Sequence, residues 1–302
     1  MDPVVGRAVK EPLPFADRLA GLVEARSSQL CLGLDPDPSR FSEGESAGGE
    51  PRVQAAAAAS AWAARLIESV GPACVAVKPQ LARYEALGPP GYEALEQTVA
   101  RAREAGLLVI ADGKRGDVPD TAAAYADALI GETQTPWGPV PGLGVDAFTA
   151  NALLGGDALE PFVLAAERAS AGVFALVRTS NPGAVDLFDA PTPDGPLHER
   201  IARMVADRSE RLLGSSGISG MAAVVGATAP RFLERLRELM PAAVFLLPGV
   251  GAQGGSAALL GAARGPHPAA TLITASRSIA GAPDPRGAAD RLRDEAWATL
   301  GG

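Results

Sequence analysis

Eight short apolar runs, each followed by a segment of helical character, constrain the fold of this chain more than any other feature. Most of these runs are continuously apolar, as expected for strands that are buried on both faces of a parallel sheet. Gly or Pro brackets several of them, which favours strand over helix for runs this short. A further helical segment, Pro14–Arg26, precedes the first run. The predicted strands are 29–34, 74–77, 107–111, 144–149, 172–177, 221–225, 243–247 and 271–274.

Eight strand-then-helix units within 302 residues fit a single (β/α)₈ TIM barrel. We therefore predict an α/β protein in which one barrel domain covers residues 1–302 and begins with a lead-in helix. A doubly wound open sheet is the structural alternative. No Gly-x-Gly-x-x-Gly turn follows the first predicted strand, which disfavours a dinucleotide-binding version of that alternative.

Composition narrows the classes of function. The net charge is -8 and no basic stripe is present, so no nucleic-acid partner is expected. The chain has no apolar stretch of roughly 18 residues and no apolar core of a secretory signal near its start, so we expect a cytoplasmic protein without a membrane span. Cys31 and Cys74 lie in apolar runs and are predicted to be free, buried thiols. His198 and His267 have no metal-ligand spacing, so no metal site is predicted.

Three long connections are rich in Gly and Pro and are predicted to be surface loops: 36–51, 132–142 and 181–196. The first has the composition of a flexible insertion. The third directly follows Thr179 and Ser180, which makes it the better candidate for a lid over a site.

Polar residues gather where the predicted strands end. In a barrel of this type, the chemistry lies at the C-terminal ends of the strands, so all of these side chains are expected on one rim. Together they predict an active site there. The residues are Asp35, Lys78, Asp112, Lys114, Asn151, Thr179, Ser180, Gln253 and Arg277.

The segment from Ala111 to Asp117 carries the densest chemistry. Side chains two positions apart in a strand point the same way, so Asp112 and Lys114 are predicted to share a face, with Asp117 just beyond. Charged side chains at the end of an apolar strand are costly to bury unless they pair. Such a cluster is typical of a site that holds a proton-transfer group in place.

A phosphate site is predicted after strands seven and eight. The Gly-rich stretch 248–255, which includes Pro248, Gly249 and Gln253, lets backbone N–H groups approach an anion closely. Arg277 offers a planar fork of donors for phosphate oxygens. Barrels of this class commonly hold phosphate with these two loops.

These segments, in this order, resemble the orotidine 5′-phosphate decarboxylase family, particularly its longer, actinobacterial-type branch. The resemblance runs from about Phe15 to the C-terminus. The Asp-x-Lys-x-x-Asp element alone is shared with other enzymes of the barrel superfamily, whereas the full ordered set is much more specific. The segments are Leu32-Gly33-Leu34-Asp35-Pro36, Val77-Lys78-Pro79, Asp112-Gly113-Lys114-Arg115-Gly116-Asp117, Pro248-Gly249-Val250-Gly251-Ala252-Gln253 and Ser276-Arg277-Ser278-Ile279.

The resemblance implies an activity: conversion of orotidine 5′-monophosphate to UMP and CO₂ in pyrimidine synthesis, with no metal or organic cofactor. It implies that Lys114 protonates a ring carbanion. It also implies that Asp112, Lys114 and Lys78 form a charged network with Asp117.

The resemblance also assigns contacts to the substrate. Asp35 and Lys78 would contact the ribose hydroxyls, and Ser180 would bond the pyrimidine. Gln253 and Arg277 would hold the 5′-phosphate.

A homodimer is implied as well. In the family, the residues equivalent to Asp117 and Val118 reach the active site of the other subunit, and Thr121 would approach the ribose from the partner chain. Two positions depart from the commonest family pattern: Val118 stands where Ile is frequent, and Ser276 stands where Gly precedes the arginine.

Two other functions stay open at the level of sequence. One is a metal-dependent sugar-phosphate decarboxylase or synthase on the same barrel. The resemblance implies that such enzymes place an acidic metal ligand near the end of strand two, where this chain has Lys78. The other is a non-catalytic nucleotide-binding barrel, which the intact Lys114 between Asp112 and Asp117 disfavours.

Overall fold

Eight parallel strands close into a barrel, in a computed structural model that describes residues 12–41, 49–226, 230–249 and 257–301. Each strand pairs with its neighbours in chain order, and the eighth pairs back with the first. The predicted (β/α)₈ fold is therefore confirmed. The strands are β1 (Leu30–Leu34), β2 (Ala76–Pro79), β3 (Leu108–Arg115), β4 (Ala147–Ala150), β5 (Gly172–Arg178), β6 (Ser219–Val225), β7 (Ala243–Pro248) and β8 (Thr271–Ala275).

Helices connect these strands and form the outer layer. The helices α2 and α4 pack side by side, as do α5 and α6, so the apolar outer face of the barrel is covered. The described helices are α1 (Phe15–Arg26), α2 (Pro51–Val70), α3 (Leu81–Glu85), α4 (Gly88–Glu104), α5 (Pro119–Ile130), α6 (Gly156–Ala169), α7 (Ala184–Leu187), α8 (Leu197–Ala206), α9 (Pro230–Leu239), α10 (Ala257–Ala262), α11 (Arg277–Ala280) and α12 (Pro285–Leu300).

The lead-in helix α1 covers the end of the barrel at which the strands begin. Phe15 packs edge-on against Phe174 of β5, with ring centroids 5.9 Å apart. It also lies so close to Gly172, the first residue of β5, that a Cβ there would clash with its ring. Arg18 forms an ion pair with Asp146, immediately before β4. With this end covered, the opposite rim is where a ligand has access to the barrel interior.

The structure differs from the predicted element bounds in several places, including the start of β4, which lies at Ala147 and not at position 144. Strand β3 continues to Arg115, four residues beyond its predicted end. The helical segment predicted between the fifth and sixth strands is divided, because α8 ends at Ala206 and a 3₁₀ turn follows at Ser209–Leu212. Two of the predicted surface loops each contain a small antiparallel ladder, in which Glu132–Thr133 pairs with Val140–Pro141 and Pro191–Thr192 pairs with Gly195–Pro196.

Part of the first predicted loop, 42–48, lies outside the described residues. Cys31 and Cys74 are both buried and free, as expected. Over the ranges that the structure describes, no helix combines the length and the apolar character needed to cross a bilayer.

Candidate active site

A cavity of about 310 Å³ opens at the C-terminal rim of the barrel. This volume lies within the usual range for small-molecule sites. Lys78, Lys114 and Arg277 bring three cationic groups to its wall, against the two carboxylates of Asp35 and Asp112. A protein of net charge -8 thus concentrates positive charge at this site. The predicted residues that line the cavity are Asp35, Lys78, Asp112, Lys114, Thr179, Ser180, Pro248, Gly249 and Arg277.

Asp112 is the hub of the polar network. Its Oδ2 lies 2.6 Å from Lys78 Nζ and accepts a second bond from Gln80 Nε2 at 3.2 Å. Its Oδ1 lies 2.6 Å from Lys114 Nζ and accepts a second bond from Thr149 Oγ1 at 2.9 Å. An ionised carboxylate has about four lone-pair sites, so all of its acceptor capacity is used.

Burial and pairing set the charge state of this network. Asp112 is 5% exposed, and such burial alone would raise the pKa of its carboxyl group. The ammonium groups of Lys78 and Lys114 outweigh that effect and bring the pKa of Asp112 down to about 2. For the Lys78 ammonium, burial acts in the opposite direction and lowers the pKa. The carboxylates of Asp112 and Asp35 outweigh burial and raise the pKa of Lys78 above its usual value. The carboxylate and Lys78 are therefore both charged at neutral pH.

A bulge in β3 presents Lys114. Ala111 pairs with Phe148 of β4 and Arg115 pairs with Ala150, so three residues of β3 lie opposite the single residue Thr149. Within this bulge Lys114 has φ of +45°, a left-handed conformation that costs a residue other than glycine about 1–3 kcal/mol. Bulges beside active sites commonly aim a side chain, and this one places Lys114 Nζ on Asp112.

The lysine–carboxylate network forms one end of the cavity, and residues at the C-terminal ends of β7 and β8 form the other. Gly249 has φ of +84°, a conformation that glycine adopts without strain, and it lets the chain turn directly after Pro248 at the cavity wall. Arg277 is exposed, and its guanidinium has no hydrogen-bond or ion-pair partner within the described residues. It is therefore available to an anionic ligand. The predicted phosphate contact Gln253 lies outside the described residues, as does most of the Gly-rich stretch.

An apolar wall joins the two ends. It consists of Leu176, Val224 and Leu246, from three consecutive strands. Nearby, Asp35 Oδ1 and Thr179 Oγ1 are buried and lack a hydrogen-bond partner in the part of the chain that the structure describes. Buried polar atoms are costly when unpaired, so these two atoms indicate where a ligand would complete the site.

Four residues singled out from the sequence do not line this cavity: the rim residue Asn151, and Asp117, Val118 and Thr121, which the resemblance assigns to the partner's site. Asp117 is half-buried and accepts a bond from the N–H of Val118 at 2.7 Å. Val118 is 55% exposed, and Thr121, in the first turn of α5, is also exposed. Asn151 stabilises the turn after β4 by accepting a bond from the N–H of Leu153.

Sequence reasoning missed the residues that support the network. Gln80 and Thr149 both bond Asp112, and the three apolar wall residues shape the cavity. Thr149 lies in an apolar run as a typical strand residue, so its type and position carried no distinctive signal. Gln80 follows Val77-Lys78-Pro79, and its position two residues after Lys78 was the signal that could have found it.

The fold and the cavity together define a (β/α)₈-barrel enzyme whose cavity holds a lysine–carboxylate network and is also lined by Arg277. The profile of the Orotidine 5′-phosphate decarboxylase / HUMPS family matches residues 28–292, and the chain belongs to this family. Two relatives are orotidine 5′-phosphate decarboxylases, each 39% identical to this chain. That of Rhodopirellula baltica aligns over 88% of both chains, and that of Deinococcus radiodurans over 95% of this chain and 98% of its own.

Solved structures agree with this membership. The structure of Leishmania donovani OMP decarboxylase superimposes with a TM-score of 0.74 at 34% identity. The match covers 95% of this chain and 98% of that one. The chain therefore spans 88–98% of the length of these three relatives.

Proposed function

We propose that this chain decarboxylates orotidine 5′-monophosphate to UMP and CO₂. Lys114 carries the proposal, because its ammonium lies in the cavity 2.6 Å from a fully bonded carboxylate. Family membership, together with relatives that are named for this reaction, supports the same activity.

The reaction leaves an electron pair on the ring carbon when its bond to the carboxylate breaks and CO₂ departs. Lys114 Nζ–H then gives its proton to that carbon, and the neutral amine regains a proton from water. Asp112 holds the ammonium in place before the carbanion develops, so the positive charge needs no reorganisation during reaction. No metal or organic cofactor takes part in this scheme.

Repulsion contributes as well. A substrate carboxylate about 4 Å from Asp112 would be disfavoured by roughly 4 kcal/mol at an effective dielectric near 20. When CO₂ departs, the negative charge passes to the ring carbon, and its repulsion from Asp112 ends once Lys114 has protonated that carbon. The lysines already neutralise part of the Asp112 charge, so repulsion assists the reaction but does not account for it.

The remaining residues bind the substrate in this proposal. Asp35 and Lys78 contact the ribose hydroxyls and Ser180 bonds the pyrimidine. Arg277 binds the 5′-phosphate together with the backbone N–H of Gly249, and Pro248 lines the cavity directly before that turn. The Gln253 side chain has the same role. The apolar wall formed by Leu176, Val224 and Leu246 accepts the flat ring.

An absorbance assay tests the activity. Adding the protein to orotidine 5′-monophosphate is expected to abolish the orotidylate absorbance and release one CO₂ per UMP formed, at the same rate with and without EDTA. A rate that falls with EDTA and recovers with a divalent cation would favour the metal-dependent sugar-phosphate enzymes. Binding of UMP without any loss of absorbance would favour a non-catalytic barrel.

A homodimer is part of the proposal, with Asp117, Val118 and Thr121 reaching the neighbouring site. The half-exposed Val118 and the exposed Leu153 and Leu154 form apolar surface at the catalytic rim. Asp117 is not among the residues that line its own chain's cavity, although it follows Lys114 by only three positions. These features fit a surface that a second copy covers. A cytoplasmic location stays a prediction.

Complementation tests the shared site. Lys114→Ala and Asp117→Ala are each expected to be inactive as homodimers. A heterodimer of the two, purified through two different tags, is expected to recover about half of the wild-type rate, because one of its two sites is intact.

The matched control pairs Lys114→Ala with Arg277→Ala. Both residues line the same chain's cavity, so every site in that heterodimer is defective and no recovery is expected. Recovery in the control, or none with Asp117→Ala, would contradict the shared site.

A further inference from the structure

Thr149 connects the two halves of the lysine–carboxylate network. Its hydroxyl donates to Asp112 Oδ1 at 2.9 Å and accepts a bond from the backbone N–H of Lys114, also at 2.9 Å. The side chain is 1% exposed, at the cavity wall. One hydroxyl therefore contacts both the carboxylate that holds the ammonium and the backbone that carries it.

We propose that Thr149 is a positioning residue for decarboxylation: its hydroxyl holds the Lys114 backbone and the Asp112 carboxylate in the arrangement that presents the ammonium to substrate. This role rests on the proposed function. Thr149 acts through Lys114 and Asp112 and transfers no proton itself.

The β3 bulge explains why a hydroxyl is needed at this position. Between the pairs Ala111–Phe148 and Arg115–Ala150, the regular ladder is interrupted. The Lys114 N–H is bonded by the Thr149 side chain in place of a β4 backbone carbonyl. A residue with positive φ persists only when its surroundings hold it there. The Thr149 hydroxyl supplies this hold from the strand opposite.

The chemistry of the side chain also fits two simultaneous bonds. A hydroxyl has one hydrogen to donate and two lone pairs to accept with, so it serves Asp112 and Lys114 at once. Valine has the same shape but can do neither. Serine keeps the oxygen and loses only the methyl group. The pair Thr149→Val and Thr149→Ser therefore separates the hydroxyl from the packing.

Steady-state kinetics measure the effect. Thr149→Val is expected to lower kcat by at least about tenfold, with the UMP dissociation constant within about threefold of wild type, because displacement of the ammonium affects the reaction and not binding. Thr149→Ser is expected to retain kcat within about threefold. Thr271→Val is the matched control. This 1% exposed strand hydroxyl bonds the Ala263 carbonyl at the far end of β8, and its loss is expected to leave kcat unchanged.

Hydrogen exchange gives a readout that needs no activity. The amide of Lys114, followed in the peptide that covers 111–117, is expected to exchange at least about tenfold faster in Thr149→Val than in wild type or Thr149→Ser. If the wild-type protein fails to decarboxylate orotidine 5′-monophosphate, the proposed function is wrong. The exchange result then still reports whether Thr149 holds the backbone.

Three results would overturn the positioning role. They are an unchanged kcat in Thr149→Val, an equal loss in Thr149→Ser, and a loss of UMP affinity in Thr149→Val as large as its loss of kcat. If Thr149→Val does not fold, Thr149→Ala against Thr149→Ser gives the same comparison, since these two variants differ by one oxygen.

Discussion

Replacing Lys114 with alanine is expected to lower kcat for orotidine 5′-monophosphate by at least ~10⁴-fold, since both the proton donor and the charge beside the carbanion are lost. Affinity for UMP is expected to stay within about threefold of wild type. The fold tolerates this change, because Lys78 still compensates Asp112 and the Lys114 side chain is 42% exposed. Single-turnover kinetics and calorimetric titration with UMP measure the two quantities.

Lys114→Arg separates charge from proton transfer. A guanidinium keeps a cation beside Asp112, but it does not give up a proton under ordinary conditions. We expect this variant to bind UMP normally and to stay at least ~10²-fold below wild type in kcat. A near-native rate in Lys114→Ala would contradict the assigned proton donor. A near-native rate in Lys114→Arg would assign Lys114 an electrostatic role alone.

The barrel could be predicted from the sequence because its signal is repeated. Each of the eight apolar runs is ambiguous alone, but eight in alternation with helical segments leave few architectures. The position of the polar rim followed from the barrel assignment, because the C-terminal ends of the parallel strands all lie on the same side of a barrel. Lys78 and Asp112 were therefore placed at one site although 34 positions separate them.

The end of β3 could not be predicted, because the polar run from Asp112 to Arg115 has the pattern of a loop that follows a strand. Strand pairing continues there because Lys78 and Gln80 of the neighbouring chain segment satisfy the Asp112 carboxylate. That compensation comes from tertiary structure and is invisible in a local window of sequence. The left-handed backbone conformation of Lys114 was missed for the same reason. It lies in a bulge, and a bulge exists only relative to the register of the partner strand.

Partners of the network were the hardest part of the site to predict. Thr149 has the ordinary composition of a strand residue, and its role depends on the offset between β3 and β4 at the bulge. A shift in strand register by one residue would turn its side chain away from the barrel interior. Residue type alone therefore identified the charged groups but not the neutral hydroxyl that joins them.

Replacing Arg277 with alanine is expected to lower kcat/KM for orotidine 5′-monophosphate by roughly 10²–10³-fold, which corresponds to the loss of a charge-assisted, two-pronged contact with phosphate. The same change is expected to leave kcat/KM for orotidine, which has no phosphate, unaltered. The Arg277 side chain has no hydrogen-bond or ion-pair partner among the described residues, so truncating it removes no such contact that holds the barrel together. Initial rates with the two substrates measure both expectations.

The comparison of substrates makes the assignment specific. A variant that lost activity through a distorted cavity would lose it equally with orotidine, whereas loss of a phosphate contact affects only the phosphorylated substrate. Arg101→Ala is the matched control, because Arg101 is a 65% exposed arginine on the outer helix α4, and its removal is expected to change neither rate. Normal handling of orotidine 5′-monophosphate by Arg277→Ala would show that phosphate is bound elsewhere on the rim. An equal loss with both substrates would show that Arg277 acts through the shape of the cavity, and either result would contradict the phosphate assignment.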